Sequence, residues 1–117
     1  MSITENSEVS RIVSTLIDKQ GEDLVVIDLS SKSYLADFFV LATANSDVHK
    51  DTLVEYTKDL LEEMGMTYRV EGESTSNWVL IDAGIIVVHI FSRQGRDFYR
   101  LENLWSSCPI HHFSDPV

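Results

Sequence analysis

One stretch limits the possible fold more than any other. Ile85-Ile86-Val87-Val88-His89-Ile90-Phe91 is apolar throughout except for one histidine, with no alternation. A strand with one wet face alternates apolar and polar side chains. A run that does not alternate is covered on both faces and lies in the middle of a sheet. A layer is therefore needed above and below the sheet, which makes this an α/β chain. The length suits this. A chain of 117 residues is one domain, and folding at this size buries roughly two-thirds of the chain's surface.

The remaining elements are read around that strand. Val9, Ile12, Val13, Leu16 and Ile17 lie on one face of a helix. Thr4, Asn6 and Ser7 precede it, and Gly21 follows as an expected left-handed cap. Leu24–Leu29 is a β-branched strand, Ser30–Ser33 a polar break and Phe38–Thr43 a second strand. Asn45-Ser46-Asp47 starts a helix that runs to about Met64, with Val48, Leu53, Leu60, Leu61 and Met64 toward the core and Gly65 ending it. Met66–Glu71 reads as a short strand, Gly72–Asn77 as a loop, Trp78–Asp82 as a strand and Ala83-Gly84 as a tight turn. A closing helix spans about Arg93–Trp105, with Phe98, Leu101, Leu104 and Trp105 inward. The order α-β-β-α-β-β-β-α predicts one domain over residues 1–106. That domain has a mixed five-stranded sheet and about three helices. Residues 107–117 form a short tail with little to bury.

Charge narrows the function. Nine Lys plus Arg against nineteen Asp plus Glu give a net charge of −10. Phosphate backbones and anionic membranes repel such a chain, so it is not expected to bind nucleic acid autonomously, and a basic partner is attracted to it. There is no apolar run of the roughly 18 residues that crosses a membrane. The opening MSITENSEVSR does not read as a signal peptide. The single cysteine, Cys108, can form neither an internal disulfide nor a cysteine cage, which points to the cytoplasm.

Catalytic patterns are missing. The sequence has no phosphate-binding glycine loop, no His-x-x-x-His, no Cys-x-x-Cys and no Gly-x-Ser-x-Gly elbow. His89 reads as a core or sheet-edge histidine with one hydrogen bond, against the sharper reading of a base or ligand. His111 and His112 are neighbours that do not share a face, a poor start for a metal site. Asp37 and Asp82 sit where acids ordinarily satisfy backbone donors in turns. Trp78 says more. Alternation puts Trp78, Leu80 and Asp82 on one face of their strand and Val79 and Ile81 on the other, so both faces are largely apolar. Three helices cover two such faces only in part. Trp78 is then either packed in a core or offered to a partner.

Several strings resemble a known family. They are Gly21-Glu22-Asp23-Leu24-Val25-Val26-Ile27-Asp28, Ala36-Asp37-Phe38-Phe39-Val40-Leu41-Ala42-Thr43-Ala44-Asn45-Ser46, and Val70-Glu71-Gly72. Then come Trp78-Val79-Leu80-Ile81-Asp82-Ala83-Gly84, Val87-Val88-His89-Ile90-Phe91, and Arg96-Asp97-Phe98-Tyr99-Arg100-Leu101-Glu102-Asn103-Leu104-Trp105. In this order and spacing the chain resembles the ribosomal silencing factor S, or Iojap-like, family over nearly all of residues 7–106. It departs at Ala44, where the family commonly has glycine, and at Ile85, where a polar residue is common. The apolar Ile85 favours a buried or partner-covered position.

The resemblance implies a translational repressor that is not an enzyme and needs no cofactor or metal. Such a protein binds the large ribosomal subunit through universal large-subunit protein fourteen and sterically blocks subunit joining, lowering translation under nutrient limitation. The implied fold is similar to that of nucleotidyltransferases. The Gly-Ser and Asp-x-Asp signature by which those enzymes hold two metal ions is missing, so fold does not carry activity. The rival class is a nucleotide- or phosphate-handling enzyme related to them, and a third is a module that only forms homodimers. The residues expected at the partner interface are Trp78, Leu80 and Asp82, joined by Glu71 and Tyr99. The excess apolar sheet surface points to a homodimer when the protein is free.

Overall fold

A computed structural model describes residues 7–30, 36–73 and 77–113. The readings made at Thr4, Asn6, residues 31–33 of the polar break and residues 74–76 of the loop lie outside them. The elements are α1 (Ser7–Asp18), β1 (Glu22–Asp28), β2 (Phe38–Ala44), α2 (Asp47–Glu63), β3 (Arg69–Glu71) and β4 (Trp78–Asp82). They continue with β5 (Ile86–Ser92), α3 (Arg93–Tyr99), α4 (Leu101–Leu104) and β6 (Ile110–Phe113). The strands form one six-stranded mixed sheet in the order β3-β4-β5-β2-β1-β6. β5 is central as expected, parallel to β2 on one side and antiparallel to β4 on the other. All of it is buried except Ser92.

The strand register divides the apolar side chains between two faces. One face carries Leu24 and Val26, Val40 and Ala42, Val79 and Ile81, and Val88 and Ile90. It is covered by Val9, Ile12, Val13 and Leu16 of α1 and by Leu53, Val54, Leu60 and Leu61 of α2. The opposite face carries Val25, Ile27, Leu41, Val87 and Phe91, and Leu101 and Cys108 pack there. Both long helices thus share one side; among the described residues, the other side has α3, α4, the segment leading to β6, and Leu29 and Ala36 of the β1–β2 connection.

Several expectations change. The sheet has six strands rather than five, because part of the expected tail pairs antiparallel with β1 from Leu24↔Phe113 to Ile27↔Ile110. That tail also buries Cys108. The short strand before the loop begins only at Arg69. Ile85 lies in the turn before β5 and is 47% exposed. Its carbonyl accepts from Asp37 and Phe38, so its backbone pairs while its side chain stays outside. Val48, in the first turn of α2, is exposed rather than core-facing. After α1, Gln20 takes the left-handed conformation expected of Gly21. Gly21 is needed for space instead, since a Cβ there would stand 3.0 Å from the Leu16 carbonyl oxygen and 3.2 Å from Leu24.

The closing helix is broken in two. Arg100 adopts φ 46°, ψ 53°, a left-handed conformation that ends α3 before α4 starts. The break turns Leu101 inward and leaves Phe98 and Leu104 outside, 77% and 74% exposed. The inward side of α3 is Gly95 and Arg96. A Cβ on Gly95 would come within 2.1 Å of the Asn77 carbonyl oxygen, so only glycine permits this approach. Arg96 donates to Thr43 Oγ1 at 2.8 Å, to the Asp23 carbonyl at 2.7 Å and to Glu102 at 3.1 and 3.2 Å. One buried guanidinium thereby ties both short helices to β1 and β2.

Candidate docking face

The face away from α1 and α2 gathers the residues singled out from the sequence. Trp78, Leu80 and Asp82 alternate along β4 and are each half-buried, while Val79 and Ile81 between them are buried. Glu71 of β3 pairs with Leu80 and Arg69 pairs with Asp82, so both flank the same face and both are exposed. Tyr99 arrives from α3 with its ring 4.7 Å from Trp78 and is 42% exposed. Trp78, Leu80 and Tyr99 are the apolar middle; Asp82, Glu71 and Arg69 form a charged rim. Asp82 also serves its turn, accepting from the Gly84 amide at 2.9 Å.

The sequence reading had not placed other members of this face. Phe39 of β2 is half-buried on it, 5.9 Å edge-to-face from Trp105, and Phe91 stacks under Trp78 at 5.2 Å. The register supplies the reason: Trp78 pairs with Phe91, and Phe39 with Val87. A better signal was the Phe38-Phe39 pair, since adjacent strand residues face opposite ways and one of the two had to join this side.

His89 lies beneath these rings, paired with Leu80 on β4 and Leu41 on β2, and only 2% exposed. The Trp78 indole N–H donates to its Nδ1 at 3.1 Å. The neutral ring therefore carries its proton on Nε2, which is buried without a hydrogen-bond partner among the described residues. Burial disfavours the imidazolium and pushes the pKa down to about 3. The reading of a core histidine with one hydrogen bond fits this geometry.

A cleft of about 560 Å³ lies between β1, β6 and the α3–α4 pair. Arg93, Arg96 and Arg100 line it together with Asp23, Asp97 and Glu102. Two of its three arginines are engaged by carboxylates, and Arg100 donates to the Asp97 carbonyl at 3.2 Å. Arg93 pairs with Glu22 and Asp23, and Arg96 with Glu102. His111 and His112 are both exposed and pair with Val26 and Val25, which belong to opposite faces. Among the described residues, no group of three or more His, Cys, Asp or Glu side chains could hold a metal ion. No described helix is long and apolar enough to cross a membrane.

A family model described as "Ribosomal silencing factor during starvation" matches residues 2–116. The chain belongs to this family. Ribosomal silencing factor RsfS of Bacillus subtilis is 36% identical over 94 residues, 80% of this chain and 80% of that protein. A more distant mouse relative, "Mitochondrial assembly of ribosomal large subunit protein 1", is 25% identical over 94% of this chain, which spans 49% of its length. A crystal structure of a Chromobacterium violaceum protein matches with a TM-score of 0.82 at 32% identity, covering 91% of this chain and 88% of that one. The α/β fold of the silencing factor family is thus shared. The family is named for regulating the ribosome and not for a reaction.

Proposed function

We propose that this protein represses translation by docking its half-covered aromatic face on the large ribosomal subunit, through universal large-subunit protein fourteen, so that the small subunit cannot join. The observation that carries this is the pairing of a half-covered apolar face with a rim of two carboxylates and one arginine. Trp78, Leu80, Phe39 and Tyr99 offer area that the short helices leave open, and Asp82 and Glu71 stand beside them. Aromatic residues at the centre of a patch supply most of an interface's affinity. On a chain of net charge −10, the rim favours a basic ribosomal protein over bare RNA and speeds the encounter. The large-subunit wording in the mouse relative's name agrees with this choice of subunit. Repression of this kind is steric and needs no chemistry. It operates in the cytoplasm when nutrients are scarce.

The same open face meets a second copy when no ribosome is available, giving a homodimer in which one patch serves both partners. Dimerisation and subunit binding then exclude each other. The rival reading, a nucleotide- or phosphate-handling enzyme, has the arginine-lined cleft as its natural site. There Arg93 and Arg96 are already neutralised by Glu22, Asp23 and Glu102. Sedimentation through sucrose with separated subunits tests the proposal. Co-migration with the large subunit, and exclusion of added small subunits, is expected. Free protein at the top of the gradient with saturating large subunits would refute it.

A further inference from the structure

Why β5 buries an imidazole where an apolar side chain would pack as well needs a reason. Its partners across the sheet are Leu80 and Leu41, and its neighbours in the strand are Val88 and Ile90. Among the described residues nothing meets Nε2–H, a cost that leucine or phenylalanine at this position avoids. The return is at Nδ1, which accepts the Trp78 indole N–H at 3.1 Å. The imidazole is itself held in place. Phe39 stands edge-on with its centroid 4.5 Å away, and Phe91 lies nearly parallel at 6.2 Å. A half-buried indole with water beside it can satisfy its N–H in several rotamers. A fixed acceptor under the sheet face selects one.

We propose that His89 is the positioning residue of the docking face: it holds the Trp78 indole in a single orientation before the partner arrives. This rests on the docking reading above. The partner touches Trp78 and not His89, which lies below the surface. The ordering of the indole is complete in the free protein, so binding does not have to supply it.

The test uses the full-length protein with 15N-labelled tryptophan side chains, the Trp78 signal being assigned by its loss in Trp78→Ala. In the wild type, exchange of the Trp78 indole proton with solvent is expected to be at least about tenfold slower than in free tryptophan. His89→Phe removes the acceptor and keeps a ring; His89→Asn keeps an acceptor near the Nδ1 position. His89→Phe should release the indole proton, shift its signal and weaken large-subunit binding roughly three- to tenfold. His89→Asn should restore both. Wild-type exchange as fast as free tryptophan overturns the inference, and that measurement stands even where a variant fails to fold. So does a folded His89→Phe protein with an unchanged indole signal, or one with a released indole and undiminished affinity. If Trp78→Ala itself binds subunits like the wild type, the docking reading fails and the inference with it, whatever the indole signal shows.

Discussion

The two faces of the sheet are built from the same strands and finished differently. On one, α1 and α2 lay eight buried aliphatic side chains over the strands, and Leu53, Leu61, Ile12 and Leu16 reach full burial. On the other, α3 and α4 together are short, their inward side is partly glycine and arginine, and Trp78 and Phe39 stay partly exposed above a buried Phe91. The first face is closed by packing alone. The second adds one buried guanidinium and a ring cluster to a smaller aliphatic core, and it leaves Trp78, Leu80 and Asp82 of β4 partly exposed. A domain can thus put its stability on one side of a sheet and keep the other for recognition.

Four outcomes would sharpen or break this contrast. The largest concerns the closed face. Leu16→Ala should cost about 3 kcal/mol of folding stability, since the cavity lies in close-packed surroundings. Leu80→Ala on the open face should cost less, about 1–2 kcal/mol, as that side chain is only partly buried. Urea denaturation of both variants measures the difference, and equal losses would mean that the faces are not divided as described.

Acid is the second test. His89 has its pKa lowered from 6.5 to about 3 by burial. The unfolded chain therefore takes up the proton first as pH falls. Stability from the neutral ring is complete above about 6.5 and is lost from there down to about 3, with a slope near 1.4 kcal/mol per pH unit. Between pH values of about 6 and 4 the wild type should lose roughly 3 kcal/mol more than His89→Asn. Parallel stability curves for the two proteins would show that the histidine is not held neutral.

The third concerns Trp78. Trp78→Ala should weaken large-subunit binding by roughly 2 kcal/mol, about thirtyfold, in a protein that still melts cooperatively. The loss should be matched by a shift from dimer to monomer in light scattering. Unaltered affinity in a folded variant would remove Trp78 from the interface. The smallest effect is at the rim. Asp82→Asn should slow association a few-fold and flatten its salt dependence while dissociation stays close to the wild type. A faster dissociation instead would move Asp82 from the rim into the buried centre.

Much of this architecture was legible from local pattern. The unalternating run of β5 fixed its central place, and strict alternation in β4 separated Trp78, Leu80 and Asp82 from Val79 and Ile81. Where the reading missed, the cause was information carried far along the chain or by unusual backbone. Nothing in Ile110–Phe113 marks a strand until β1 is there to pair with it. Arg100 ends a helix without glycine or proline, and the helical period continued through it put Phe98 and Leu104 on the wrong side. The grouping of Trp78, Leu80, Asp82, Glu71 and Tyr99 followed from alternation and resemblance. Phe39 and His89 joined them only once the strand order was known.

The pairing of β6 with β1 has a consequence for synthesis. β1 gains its first neighbour, β2, almost at once, but its other edge waits until residues 110–113 have been made. At about 5–20 residues per second, that interval is on the order of ten seconds. During it, a nascent chain carries an apolar strand with one row of backbone N–H and C=O groups open to any passing partner. A chain interrupted before Ile110 keeps that row open indefinitely. Stalled or truncated copies are therefore expected to self-associate edge to edge through β1, a contact that chains made through β6 no longer offer.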